Sequence, residues 1–177
     1  AEEMLRLVND LLDVSVIESG RLELQRSDGS LRTLVEDRIH LSHITAEKKN
    51  ISIGMEAEDI PILSFDSNRI AQVFDNLLSN AVKFSPQGSS IRVMLGVKEG
   101  FAKVSVADQG PGLSEEDKTK LFGDFQRLSA RPTGGEKSTG LGLAIVKKIV
   151  EAHNGILGAD SVPGKGATFW FGLPLKE

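Results

Sequence analysis

The sequence predicts an α/β fold, and three observations predict it. Segments with helical periodicity alternate along the chain with short runs of period two. Two of those runs, Ile91–Val97 and Phe101–Val106, are joined by Lys98-Glu99-Gly100 and read as a β-hairpin. A glycine-rich stretch from Gly134 to Gly142 leads straight into a further helical segment, an arrangement that presents free backbone N–H groups to an anion.

Residues 1–20 read as one helix, with Leu5, Val8, Leu12 and Ser15 on a stripe, Met4 and Leu11 beside it, and Gly20 as C-cap. Its heptad-like seam asks for a partner helix. Residues 21–26 alternate around Leu22 and Leu24 and suit a short strand, and Ser27-Asp28-Gly29-Ser30 reads as a turn. Ser30 then caps a helix over 31–49. Ile51 and Ile53 begin a strand, and Ile62-Leu63-Ser64-Phe65 form another. Asp66 caps a helix reaching to about Phe84, with Ile70, Val73, Phe74, Leu77 and Leu78 on its buried face. Ser85-Pro86-Gln87-Gly88 ends it.

After the hairpin, regularity is lost from Asp108 to Thr139, apart from a short acidic-capped helix near Ser114–Leu121. A loop that long inside a compact domain is functional or disordered. A helix of about 15 residues follows Gly140 and stops near His153-Asn154-Gly155. Strands over 156–161 and 167–173 flank the turn Pro163-Gly164-Lys165-Gly166.

Composition excludes several classes. The 177 residues are 26% charged and 40% hydrophobic, too apolar for disorder, and a domain of this length buries roughly 70% of its unfolded surface. No apolar run approaches the roughly 18 residues of a membrane span, and Ala1-Glu2-Glu3-Met4 is acidic where a signal peptide is basic. With no cysteine there are no disulfides or thiolate metal sites, which suits a reducing compartment. The balance of 21 Lys and Arg against 25 Asp and Glu leaves net charge −4, so no broad nucleic-acid surface is expected. The 18 glycines cluster, and the chemistry is sought there.

Asn76 and Asn80 stand one turn apart on one helix, with Lys83 a turn further on. Taken alone, such a row is ordinary polar surface. Set among Leu77, Leu78, Ala81 and Val82, however, amides need partners. An amide oxygen suits Mg²⁺ that keeps waters and phosphate oxygens, and Lys83 adds a point charge. Asp108-Gln109-Gly110-Pro111-Gly112-Leu113 follows a strand; its carboxylate can accept from an exocyclic amine, while the glycines admit a flat base. Gly134 through Leu143 matches neither the dinucleotide fingerprint nor the Walker loop.

The order Asn76…Asn80, Asp108-x-Gly110-x-Gly112, Phe122…Phe125, Gly140-Leu141-Gly142-Leu143 and Gly164-x-Gly166-x-Thr168 resembles the five ATP-binding boxes of sensor histidine kinases. The stretch Asn76 to Pro86 is similar to that family's asparagine box almost letter for letter. Leu7 to Asp13, on through Ile17-Glu18-Ser19-Gly20, resembles the end of the second dimerisation helix.

The resemblance implies a two-layer Bergerat sandwich, a mixed sheet packed on helices with ATP between them under a lid. It implies domains of 1–20 (dimerisation-helix end) and 21–177 (catalytic domain, lid about 114–139). It makes Asn80 a Mg²⁺ ligand assisted by Asn76, and sets Lys83 and Phe84 beside the phosphates. Asp108 would hold the adenine amine, with Gly110, Gly112 and Leu113 shaping that pocket and Thr168 supporting it. Thr139, Gly140, Leu141, Gly142 and Leu143 would wrap the phosphates. Arg127 would reach the terminal phosphate, making Asn76, Lys83 and Arg127 the catalytic set. For phosphoryl transfer such parts supply position and charge.

The implied activity is a protein-histidine kinase using ATP and Mg²⁺, in a cytoplasmic domain of a bacterial protein. Its implied partners are a histidine-bearing dimerisation domain, a response-regulator receiver domain and a second copy in a homodimer, with no nucleic acid. The family's accepting histidine is followed by an acidic residue; here His40 precedes Leu41, His43 precedes Ile44 and His153 precedes Asn154. The three histidines are therefore expected at surface or helix-end positions, and the chain reads as a fragment beginning inside the second dimerisation helix. Two other readings compete. One is an ATP-hydrolysing switch related to gyrase or the mismatch-repair ATPases, which carry a general-base Glu where this chain has Asn76. The other is a module that binds nucleotide without chemistry. Residues 114–139 carry few apolar anchors, so Ser129 to Lys137 are expected to depend on nucleotide or on dimerisation helices for order, with Phe122 and Phe125 as hinge-side anchors.

Overall fold

The computed structural model describes residues 2–123, 126, 128–134 and 140–175. In its first half the chain forms α1 (Glu2–Glu18), β1 (Ser27–Gly29), α2 (Leu31–Glu47), β2 (Ser52–Ala57), β3 (Leu63–Phe65) and α3 (Ser67–Phe84). There follow β4 (Ser90–Lys98), β5 (Phe101–Ala107), α4 (Glu115–Lys120), α5 (Gly142–Ala152), β6 (Ile156–Ser161) and β7 (Ala167–Pro174).

Strands β2, β4, β5, β7 and β6 lie side by side in that order. β2 runs parallel to β4 and the other neighbours are antiparallel, so the sheet is mixed. Side chains alternate across it: Ile91, Val93 and Leu95 of β4, Val104 and Val106 of β5, and Phe169, Phe171 and Leu173 of β7 all turn to one buried face. Helices α2, α3 and α5 cover that face, contributing Val35, Ile70, Phe74, Leu77, Leu78, Ile145 and Ile149 to a single core. This is a two-layer α/β sandwich, as expected.

α3 carries the site, and its local sequence explains its placement. Asp66 accepts from the Arg69 N–H as N-cap, apolar residues recur at helical spacing, and Pro86 follows the C-cap Ser85. Arg38 on α2 pins the helix sideways through a two-pronged bond to Asp75, at 2.9 and 2.5 Å. α1 ends as its sequence requires: Gly20, at φ +69°, donates to Ile17 O while Arg21 N reaches Val16 O. Met4, Leu5 and Leu12 of α1 are exposed, and Asp13 ties the helix to α3 through Arg69 Nη1 at 2.9 Å and Gln72 Nε2 at 2.7 Å.

Two expectations are corrected. Residues 21–26 form no strand: Leu22 and Leu24 alternate half-buried with exposed neighbours, but no strand pairs with their backbone. The short strand lies at Ser27–Gly29, where a turn was expected, because those residues pair antiparallel with Phe65, Ser64 and Leu63. The last helix is also shorter than expected, since the turn at Gly140 continues through Leu141 before α5 begins.

Candidate functional site

Asn76, Asn80 and Lys83 sit half-buried along α3, on the flank that its core face leaves toward α5. A Cβ placed on Gly142 would lie 3.3 Å from Asn76 Oδ1, so the first turn of α5 meets the Asn76 amide edge-on. Leu141, the N-cap of α5, gives no side-chain cap and is wholly buried. Any part it takes in anion binding is therefore through its backbone. Leu141 thus leaves the start of α5 without a side-chain cap of its own beside the Asn76 carboxamide, and a helix N-terminus favours a phosphate.

Next to it opens a narrow cleft lined mainly by apolar groups from Leu113, Leu128, Leu143 and Phe169. Asn80, Phe84, Asp108 and Gly112 also line it. Asp108 Oδ1 accepts from the N–H groups of Gly110 at 2.9 Å and Ala167 at 3.1 Å. Burial raises its carboxyl above the ordinary carboxylate range, and those two N–H groups oppose the shift. Both bonds go to Oδ1; among the described residues none reaches Oδ2. An acceptor oxygen in an apolar slot suits a flat heterocycle carrying an exocyclic amine.

The glycines around Asp108 serve the protein's own backbone as much as a ligand. A Cβ on Gly110 would stand 2.8 Å from Phe84 O, and one on Gly166 (φ +85°) would stand 2.1 Å from Asp108 O. Both let separate chain segments close upon the carboxylate. The Ser161 hydroxyl joins them, accepting from Leu113 N and donating to Gly166 O, each at 2.8 Å. Thr168 lies opposite Ala107 and Asp160 in the sheet, one residue from Asp108 and beside the lining residues Ala167 and Phe169.

The segment after α4 has anchors that its lack of apolar residues did not suggest. Asp117, only 4% exposed, accepts from Ser129 N at 2.9 Å and from Ser129 Oγ at 2.5 Å. It also completes a capping box with Ser114. Thr133 bonds to the carbonyls of Lys83 and Ser85. Polar bonds thus tie Ser129 to α4 and Thr133 to the end of α3. Phe122 is half-buried against the core with φ +66°. Phe125, Arg127, Thr139 and 135–138 lie outside the described residues.

Sequence reasoning brought Asn80, Phe84, Asp108, Gly112, Leu113 and Leu143 to one cleft. It missed Pro111, Leu128, Ala130, Ala167 and Phe169 as lining. Ala167 and Phe169 flank the motif residue Thr168, so the adjacency was available; the placement of Leu128 and Ala130 depends on the Asp117 clamp and had no local signal.

Residues 65–177 match the model of the family described as histidine kinase-, DNA gyrase B-, and HSP90-like ATPase. The chain belongs to this ATPase family. The fold is therefore an ATP-binding one. Among relatives, the sensor histidine kinase WalK of Bacillus subtilis is 36% identical over 99% of this chain and 29% of its own length. Full-length ShkA in complex with AMPPNP superposes with a TM-score of 0.85 at 30% identity, over 97% of this chain and 36% of that one. ThkA in complex with the response regulator TrrA gives 0.77 at 27% identity, over 99% of this chain and 49% of that one. The chain spans between 18% and 29% of the length of the curated relatives it matches.

No cluster of three or more His, Asp or Glu fit for a metal exists among the described residues. The amide oxygens of Asn80 and Asn76 are of the donor type that Mg²⁺ accepts together with phosphate oxygens and water. No described helix is long and apolar enough to cross a membrane.

Proposed function

We propose that the chain is the catalytic domain of a sensor histidine kinase, binding Mg-ATP and delivering its γ-phosphate to a histidine on a dimerisation domain. The observation that carries the transferase reading is the position of the carboxylates. Asp108 is the only carboxylate lining the cleft among the described residues, and its Oδ1 is held by the N–H groups of Gly110 and Ala167 at the base-binding end. Where the α5 N-terminus meets α3 stands Asn76, an amide that cannot take a proton from water. Among the described residues the cleft offers no carboxylate placed as a base for water, which suits transfer to an external nucleophile better than hydrolysis.

In this reading Asp108 Oδ2 accepts the adenine amine, while Phe84, Leu113, Leu143 and Phe169 exclude water from the base. The first N–H groups of α5 and the Lys83 ammonium hold the phosphates, and Arg127 reaches the terminal one. Asn80 and Asn76 would hold Mg²⁺, which when bound would supply charge neutralisation for the phosphates. α1, with its exposed Leu5 and Leu12, is the end of the dimerisation helix of a homodimer, and a receiver domain takes the phosphate onward. The domain works on the cytoplasmic side of a bacterial signalling protein.

The test mixes this chain, Mg-ATP and a separately made dimerisation domain bearing the histidine. Phosphohistidine on that domain is the expected result. Steady phosphate release without phosphohistidine would favour the hydrolase.

A further inference from the structure

The stretch 128–134 forms the outer wall of the cleft through Leu128 and Ala130. Both of its ends are tied down. At one end Ser129 is held by Asp117. At the other, Thr133 donates its N–H to Lys83 O at 2.9 Å and its hydroxyl to Ser85 O at 2.7 Å. The same hydroxyl accepts from Lys49 Nζ at 2.6 Å. Lys49 comes just after α2 and is anchored in its own right, since its carbonyl takes the Gly88 N–H at 2.9 Å. Its ammonium donates further to Val82 O at 2.8 Å and Lys83 O at 3.1 Å.

The last carbonyls of a helix have no donor within it and carry the negative end of its dipole, so a lysine is a natural occupant. Helix capping explains the bonds to Val82 and Lys83. It does not explain the bond to Thr133, which joins the end of α3 to a chain segment 84 residues further on. That end of α3 is Phe84, which lines the cleft together with Leu128 and Ala130. One ammonium therefore joins two of the segments that line it.

We propose that Lys49 is a positioning residue of the nucleotide site: through Thr133 it sets how the wall of Leu128 and Ala130 stands against Phe84 and Asp108, touching no nucleotide itself. The proposal rests on the cleft being the ATP site. Lys49→Met keeps the aliphatic stem and removes the ammonium; Thr133→Val removes the hydroxyl from an exposed residue and keeps its N–H; Lys49→Arg restores donors for the carbonyls and the hydroxyl.

Calorimetric titration with Mg²⁺ and a non-hydrolysable ATP analogue tests it on the whole chain. Each single variant should weaken binding about fivefold, as expected for a charge-assisted bond removed at one remove from the ligand. The double variant should be no weaker than the poorer single, and Lys49→Arg should recover most of the loss. Simple helix capping would instead lower the melting temperature of Lys49→Met while leaving the affinity of both singles at the parental value. That result overturns the proposal and spares the ATP reading. Additive losses in the double variant overturn it too. Should Lys49→Met not fold, parental affinity in Thr133→Val decides against it. Absence of binding by the parent chain overturns the site reading and this inference together.

Discussion

The backbone N–H of Asp66 donates to Nε2 of His153 at 3.1 Å, so the residue that caps α3 rests on the buried histidine that ends α5. His153 is 2% exposed, and its other ring nitrogen bonds Ile149 O at 2.8 Å, which makes Nδ1 the protonated one. Asp66 in turn accepts from Gln25 N through Oδ2 at 2.9 Å, fastening the segment that leaves α1. The site helix, the phosphate-side helix and the segment after α1 therefore share one buried junction.

This junction predicts a pH dependence. Burial holds the His153 pKa below its ordinary 6.5; the Ile149 bond and Asp66 oppose that shift and Arg26 adds to it. The folded state thus disfavours a proton that the unfolded chain accepts, so stability is full above about pH 6.5 and declines as pH falls toward the folded value. Denaturant unfolding at about pH 7.5 and about pH 5.5 should show that loss, and His153→Leu should reduce the slope. The variant should also cost about 1–3 kcal/mol at neutral pH, because it leaves the Asp66 N–H without its acceptor.

Asp108→Asn should separate stability from binding. Charging Asp108 in the folded state is disfavoured by burial, so the carboxylate works against the fold at neutral pH. An amide oxygen can keep the bonds from Gly110 and Ala167, but its NH₂ then faces the base amine, donor against donor. The expected outcome is an apo melting temperature equal to or above the parent's and an ATP-induced rise that largely disappears. A variant that unfolds earlier yet binds ATP normally would contradict the assignment.

Asn80→Ala should leave the fold within about 1 kcal/mol of the parent, since Asn80 is a half-buried group on a cleft wall. Phosphotransfer should fall by at least about a hundredfold through lost metal positioning. Circular dichroism checks the first statement and a phosphohistidine assay the second. Transfer at the parental rate would remove Asn80 from the metal site.

Gly166→Ala should be strongly destabilising, by about 2 kcal/mol or more, because its Cβ would press on Asp108 O from a left-handed backbone. Gly164, also at positive φ, has open space around it, so Gly164→Ala should cost about 1 kcal/mol. Thermal unfolding of the pair distinguishes contact from backbone strain.

What was legible in the sequence follows from range. α3 announced itself through Asp66, its apolar spacing and Pro86, all local signals, and Asn76 and Asn80 came with it. The hairpin was legible because Glu99 and Gly100 both take positive φ in a two-residue turn. β1 was not, because its strand character comes from Phe65, Ser64 and Leu63 across the chain. His153 was legible as a helix end but not as the acceptor for Asp66, 87 residues earlier. The clamps at Asp117 and Thr133 escaped for the same reason: apolar counting does not register carboxylates and helix-end carbonyls as anchors.

The most direct measurement compares the affinities of ATP and ITP for the intact chain in the presence of Mg²⁺. The two nucleotides differ along one edge of the base: ATP carries an exocyclic amine beside an acceptor N1, and ITP a carbonyl oxygen beside an N1–H donor. If Asp108 Oδ2 reads that amine, ITP turns an acceptor toward a carboxylate in an apolar slot and should bind at least about a hundredfold more weakly. Equal affinities would show that the base does not sit at Asp108, and the account of this cleft would be wrong.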